Sequence, residues 1–391
     1  MIHVHITKIH VHITKETEEN MHKGLKAILK GLITVSAAVM LLAAPSFAES
    51  EEMCTSFLTG EQVPVSVGRK RPIAVMFNNI YDAVPQYGIS KSGIILEAEV
   101  EGLITRIMGI IEDYKDCGRI GSVRSARNYY YYFAREFQAI YMHFGEAAYA
   151  LPLLHLDSTV ELSGLTDYGD IVYYRSDDRV SPHNVFTNYD MIQAGIEHTG
   201  IDTSIPEGIT RYYLFAQDEP TMLEDGVTAN VVLPGYSYNH ARFQYNPEDG
   251  LYYRSQYGDA QIDGDTGEQL TCKNIILQYC DSQPFDENGY LWTDVINGGT
   301  GKFITNGKAI DITWSKPYKQ GETTFITDIV TPNVTVPMYT GDFCTTTYYD
   351  LDGNEIVFNP GQTWVCLIRN SAADKVLITD DFNVSSDATD Y

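Results

Sequence analysis

Arg119, Arg124 and Arg127 crowd into nine positions of a chain that has 27 Lys and Arg against 52 Asp and Glu. Arg124 and Arg127 are three apart, so on a helix they share a face and can grip a carboxylate or phosphate in bidentate fashion. Ser122 or Ser125 can cap such a helix, and its free N–H groups favour an anion. The alternative is that the arginines neutralise acids inside the protein; the two readings do not exclude each other. Those acids are Glu97, Glu99 and Glu101, which alternate with Leu96, Ala98 and Val100 so that one strand face carries three carboxylates. If Gly102-Leu103 is a two-residue hairpin loop, Glu101 pairs with Ile104, Glu99 with Arg106 and Glu97 with Met108. Paired carboxylates do acid–base work when their surroundings split their pKa values. A cross-strand ion pair of Glu99 and Arg106 on a solvated face is the plainer reading, and the favoured one.

Two histidines add candidates. His143 ends an apolar strand beside Gly145, where it could act as a general base, and His183-Asn184 sits in a loop after Pro182. For each, a histidine satisfied by hydrogen bonds is the commoner case. Tyr129 to Tyr132 offer aromatic faces for a sugar ring, yet tyrosines this dense usually pack. Asp263, Asp265 and Glu268 fail the calcium-loop pattern because Gly267 falls where a ligand belongs, so that segment reads as a turn. No phosphate loop, HExxH, GxSxG or SxxK motif occurs. No cofactor and no metal site is expected.

These residues need a scaffold. Apolar runs at 71–77, 94–100 and 106–112 read as strands, 122–136 as a helix, 139–144 as a strand and 146–156 as a short helix. From about residue 228, short strands alternate with turn signals such as Asp263-Gly264 and Asn306-Gly307. The expected class is α+β: a mixed α/β domain over 69–225, a β-rich domain over 228–370, and a polar tail over 371–391. The two domains are expected to be packed or tethered as separate units.

Residues 1–48 read as a leader whose true start is Met21. His22, Lys23, Lys26 and Lys30 form a basic region, an apolar stretch follows, and Ser46-Phe47-Ala48 fits a peptidase site. The apolar stretch is short for a bilayer span, so no transmembrane segment remains after cleavage. A duplicated stretch before Met21 carries His3, His5, His10 and His12, to which no metal role is given. Beyond the leader, 22 basic and 49 acidic residues leave a formal charge of −27. That argues against sequence-independent nucleic-acid binding, which Lys and Arg drive by displacing counterions from phosphates. Six cysteines permit up to three disulfides in an exported chain, though a core this large does not need them. Cys54 follows Glu51-Glu52-Met53, an approach that does not suit lipidation.

Several ordered motifs resemble one family. Arg71-Pro72-Ile73-Ala74-Val75-Met76, Glu101-Gly102-Leu103-Ile104-Thr105-Arg106, Val123-Arg124-Ser125-Ala126-Arg127 and Pro182-His183-Asn184 are similar to the N-terminal domain of the YerB-like family. The likeness continues through Tyr253-Arg254, Thr266-Gly267-Glu268, Thr313-Trp314-Ser315-Lys316 and Gly361-Gln362-Thr363-Trp364. The resemblance implies an exported envelope protein of two consecutive domains of unknown function, often lipid-anchored, with no agreed catalytic residues. Departures are the missing lipidation signal, Ser122 in place of Pro, Glu146-Ala147 in place of Gly-Ser, and a Thr-rich insertion near 323–347. The expected function is an extracytoplasmic, envelope-associated binding or accessory protein with an unknown envelope ligand or protein as partner. Its candidate site is Arg124, Ser125, Arg127, Glu101, Arg106, His143, His183 and Asn184. The competing expectation is an enzyme acting on an anionic envelope polymer or glycan, with Glu101 or His143 as acid–base and the arginines as clamps.

Overall fold

The computed structural model describes residues 51–317, 323–327, 335–339 and 344–389; the leader lies outside them. Continuous apolar runs make strands buried on both faces. β1 (Ile73–Asn78), β2 (Ile94–Glu99) and β3 (Thr105–Ile111) are buried at every position. There follow α1 (Asn128–Glu136), β4 (Ile140–His143), β5 (Glu161–Ser163), α2 (Tyr189–Thr199) and β6 (Val227–Thr228). Later come β7 (Asn274–Cys280), β8 (Gly299–Thr305), β9 (Lys308–Ser315), β10 (Thr347–Tyr349) and β11 (Thr363–Arg369). Among the described residues these strands form one 11-stranded sheet, in the order β6-β9-β8-β7-β11-β2-β3-β1-β4-β5, with β10 pairing with β9. The protein is α+β.

The two halves are not separate packed or tethered units. β11 lies parallel to both β7 and β2, with Thr363 opposite Ile94 and Leu367 opposite Ala98. Its Thr-Trp-Val-Cys-Leu-Ile run is buried throughout and needs a neighbour on each side. A shift in composition reveals where strands become frequent, but not which sheet they join.

A core lies on each face of this sheet. On one, Met76, Leu96 and Met108 pack beneath α1. On the other, Val75, Ile95 and Ile107 meet Val232, Phe243 and Tyr252 of a second, six-stranded sheet. The four tyrosines of α1 are all buried, and Tyr129 and Tyr130 donate to the carbonyls of Glu99 (2.8 Å) and Arg106 (2.5 Å). They are packing residues, not a sugar platform.

Asp263, expected to be only a turn residue, is buried and accepts from the Ser90 amide (2.8 Å) and hydroxyl (2.7 Å), tying a loop of the first half to the second. All six cysteines are free. Cys54 sits in a short strand opposite Val63. Among the described residues no helix is long and apolar enough to cross a membrane.

Candidate functional site

The loop between β2 and β3 sets the geometry of the site. Val100 N–H donates to Ile104 O (2.8 Å) around three residues, Glu101, Gly102 and Leu103, the last two with positive φ. The expected loop had two. One extra residue changes the parity of the pairing and turns every side chain of β3 to the opposite face. The register is therefore Glu97 opposite Ile107, Ala98 opposite Arg106 and Glu99 opposite Thr105. The cross-strand Glu99–Arg106 pair does not form.

The three glutamates find other partners. Glu97 is fully buried: its Oε2 accepts from Arg254 Nη2 (2.8 Å), and its Oε1 from Thr105 Oγ1 (2.8 Å) and Asn239 Nδ2 (2.9 Å). Glu99 pairs with Arg369 Nε at 2.5 Å, and burial nevertheless pushes its carboxyl pKa up. Glu101, lifted off the strand by the loop, takes Arg127 in a fork, with Nε–Oε1 2.8 Å and Nη2–Oε2 2.6 Å.

Nor do the arginines open a helix. α1 starts at Asn128, with Arg127 as its N-cap and no side-chain cap. Residues before it are extended because their amides are committed elsewhere: Val123 N–H to Val185 O (2.8 Å), Arg124 N–H to Met76 O (2.8 Å) and Ala126 N–H to Gly145 O (2.9 Å). Neither Ser122 nor Ser125 caps it. Gly145, at φ +95°, allows this close approach: a Cβ there would lie 2.5 Å from Ser125 Oγ.

What gathers is a knot of cations with one acid. Arg106, on the face away from the glutamates, is 6% exposed and donates from Nη1 to Ser125 O (2.8 Å). Arg127 reaches the same carbonyl at 3.4 Å. Burial, then the charges of Arg127 and Arg124, push the Arg106 pKa down to about 9. Arg124 reaches only Pro182 O, at 3.5 Å, and its Nε is buried with no partner. Burial and then Arg127 and Arg175 lower its pKa too. Burial opposes the charge of Arg127 as well, but the Glu101 fork outweighs it and holds that pKa up. Among the described residues, neither Arg106 nor Arg124 has a carboxylate in ion-pair contact.

His183 stands beside Arg124. The Asn78 amide donates to its Nδ1 (2.8 Å), and burial followed by the Arg124 charge lowers its pKa, so the ring is neutral. Asn184 turns the other way, accepting from Arg175 (2.9 Å) and donating to Ser176 O (3.1 Å). His143 is buried, with Nδ1 at 2.9 Å from Gly145 O and Nε2 at 2.9 Å from Glu161 Oε2. Sequence reasoning missed Asn78, Glu161 and Arg175 as partners, and Glu161 lies in an otherwise unremarkable strand.

The chain matches the N-terminal domain of DUF3048, a protein family of unknown function, over residues 58–202 and the C-terminal domain of that family over 231–335. It is 28% identical over 328 residues to the Bacillus subtilis (strain 168) protein named Putative lipoprotein YerB, covering 82% of this chain and 87% of that one. The crystal structure of YerB from Bacillus subtilis superposes with a TM-score of 0.67 at 27% identity, over 84% of this chain and 100% of that chain. With both domains matched in order and the fold shared across them, the chain belongs to the YerB-like, DUF3048 family.

Proposed function

We propose that this is an exported, envelope-associated binding or accessory protein that holds an anionic group at Arg106 and Arg124. One observation carries the reading. In a chain of net charge −25, Arg106 is buried and its neighbour Arg124 half-buried, neither with a carboxylate in contact, and Arg127 has used the nearest acid. Like charges so placed ask for an anion. His183, neutral and beside Arg124, offers a hydrogen bond that does not add to the repulsion. The enzymatic reading has less support: Glu101 is held by two nitrogens of Arg127, and both ring nitrogens of His143 are engaged. An envelope location is supported by the leader in the sequence and by the relative named a lipoprotein.

Titration with inorganic phosphate and with acetate, read by guanidinium NMR signals and by melting temperature, tests the site. Phosphate should shift the Arg106 and Arg124 signals and raise the melting temperature, and Arg124→Ala should abolish both effects. If neither anion moves those signals in the wild type, the site is structural. For the location, the mature N-terminus should be Glu49; a secreted form that begins at Met21 or at Cys54 would refute cleavage after Ala48.

A further inference from the structure

A second feature adjoins the arginines. Where β1 ends, Asn78 serves His183 through its side chain, and the next residue, Asn79, accepts the Tyr257 hydroxyl on its carbonyl (2.7 Å). Arg179 clamps the same corner, donating to Ala83 O (2.6 Å) and Pro85 O (2.5 Å). Past this corner lies a groove of about 250 Å³, lined among others by Tyr81, Pro85, Gln256, Tyr257, Asp259 and Gln261. Its volume falls below the roughly 300 Å³ at which drug-sized pockets begin, so it suits a single ring.

Three tyrosines stand in a row there. Tyr257 meets Tyr81 edge-to-face at 5.5 Å and Tyr238 at 6.0 Å. Tyr81 is 62% exposed and Tyr238 42%, an unusual display of aromatic surface. Tyr257 and Gly258 also form the two-residue turn between strands Leu251–Gln256 and Asp259–Ala260, both with positive φ. Such a corner favours Asn or Gly. A tyrosine there is unfavourable for the turn and contributes its ring to the groove.

The polar groups narrow the ligand. Gln261 is 3% exposed; its amide nitrogen donates to Gln86 Oε1 (3.1 Å), while its own Oε1 has no donor. A purely apolar ligand would leave that oxygen unpaired, and a quaternary ammonium has no hydrogen to give it. A hydroxylated ring answers both demands, with its C–H face on tyrosine and hydroxyls donating to Gln261 and Asp259.

We propose that this groove is a sugar-ring subsite, and that the ligand of the Arg106–Arg124 site is a glycan bearing an anionic group. The second clause rests on the function proposed above. The test is NMR titration of the full chain with glucose, galactose, mannose and N-acetylglucosamine, with inorganic phosphate, and with the matching sugar 1-phosphates. At least one sugar phosphate should bind about tenfold or more tighter than phosphate alone, since both parts are then tethered. Tyr81→Ala should weaken sugar and sugar phosphate about fivefold to tenfold and leave phosphate unchanged. Tyr81→Phe, which keeps the ring, should bind as wild type. Arg124→Ala should show the reverse pattern. If no sugar perturbs Tyr81 or Tyr257, or Tyr81→Ala binds sugar phosphates as wild type does, the sugar subsite is wrong and the anion reading stands. If sugars perturb the tyrosines but phosphate binds nowhere, the groove stands and the anion reading falls.

Discussion

Arg124 and Arg127 look alike in sequence and should behave differently when removed. Arg127→Ala strands Glu101, whose side chain is 23% exposed, so the loss should fall short of the roughly 3–5 kcal/mol of a fully buried pair, at about 2 kcal/mol. Arg124→Ala breaks no ion pair and should stay within about 0.5 kcal/mol of wild type. Chemical denaturation of both variants checks this; equal losses would remove the distinction. Arg106 titrates in the opposite sense from a salt-bridged base. Its folded pKa, about 9, lies well below that of a free guanidinium, so above about 9 the unfolded chain binds more protons. Stability then rises with pH. Below about 9 both states carry the charge and its burial cost is felt in full. Arg106→Met should therefore be more stable than wild type at pH 7, with the gap closing as pH climbs through 9 to 10. A gap that does not change over that range would contradict the burial argument. The sequence showed which residues were unusual. It could not show which arginine Glu101 would hold, because that choice is made by the loop.

Elements were legible where one pattern dominated. β1, β2 and β3 are unbroken apolar runs, and their existence needed no tertiary information. Their register did, because a loop of two residues or of three, closed here by the Val100–Ile104 hydrogen bond, resets every pairing that follows it. Helix α1 began six residues later than Ser122 suggested because Met76, Val185 and Gly145, remote in sequence, claim the amides of Val123, Arg124 and Ala126. A capping residue is a local signal, and here long-range pairing overrides it. The loop itself makes a prediction. Leu103 holds φ +62° and is 43% exposed, so its side chain adds little packing to offset an unfavourable backbone. Leu103→Gly should raise stability by about 0.5–1 kcal/mol, measured by the shift in denaturation midpoint. A loss of stability would mean the Leu103 side chain packs more than its exposure indicates.

At the scale of the molecule, the turn-rich second half was legible and its placement was not. Glu97 and Arg254, both fully buried, meet from opposite halves, and nothing near either residue signals the other. A fragment of residues 51–226 should not fold alone. It would expose the edge of β2 and leave Glu97 without Arg254, a buried charge with no partner. A dispersed NMR spectrum from that fragment would show instead that the first half is self-sufficient. The central position of β11 also has a consequence in time. The strand that sits between the two halves follows every other strand of its sheet in sequence, so it is synthesised after all of them. Until it arrives β2 has no β11 beside it, and one edge of the first half's strands is unpaired. Pairings this distant along the chain are slow to form. A polypeptide built this way cannot close its main sheet until β11 has been made, however early its other strands have formed.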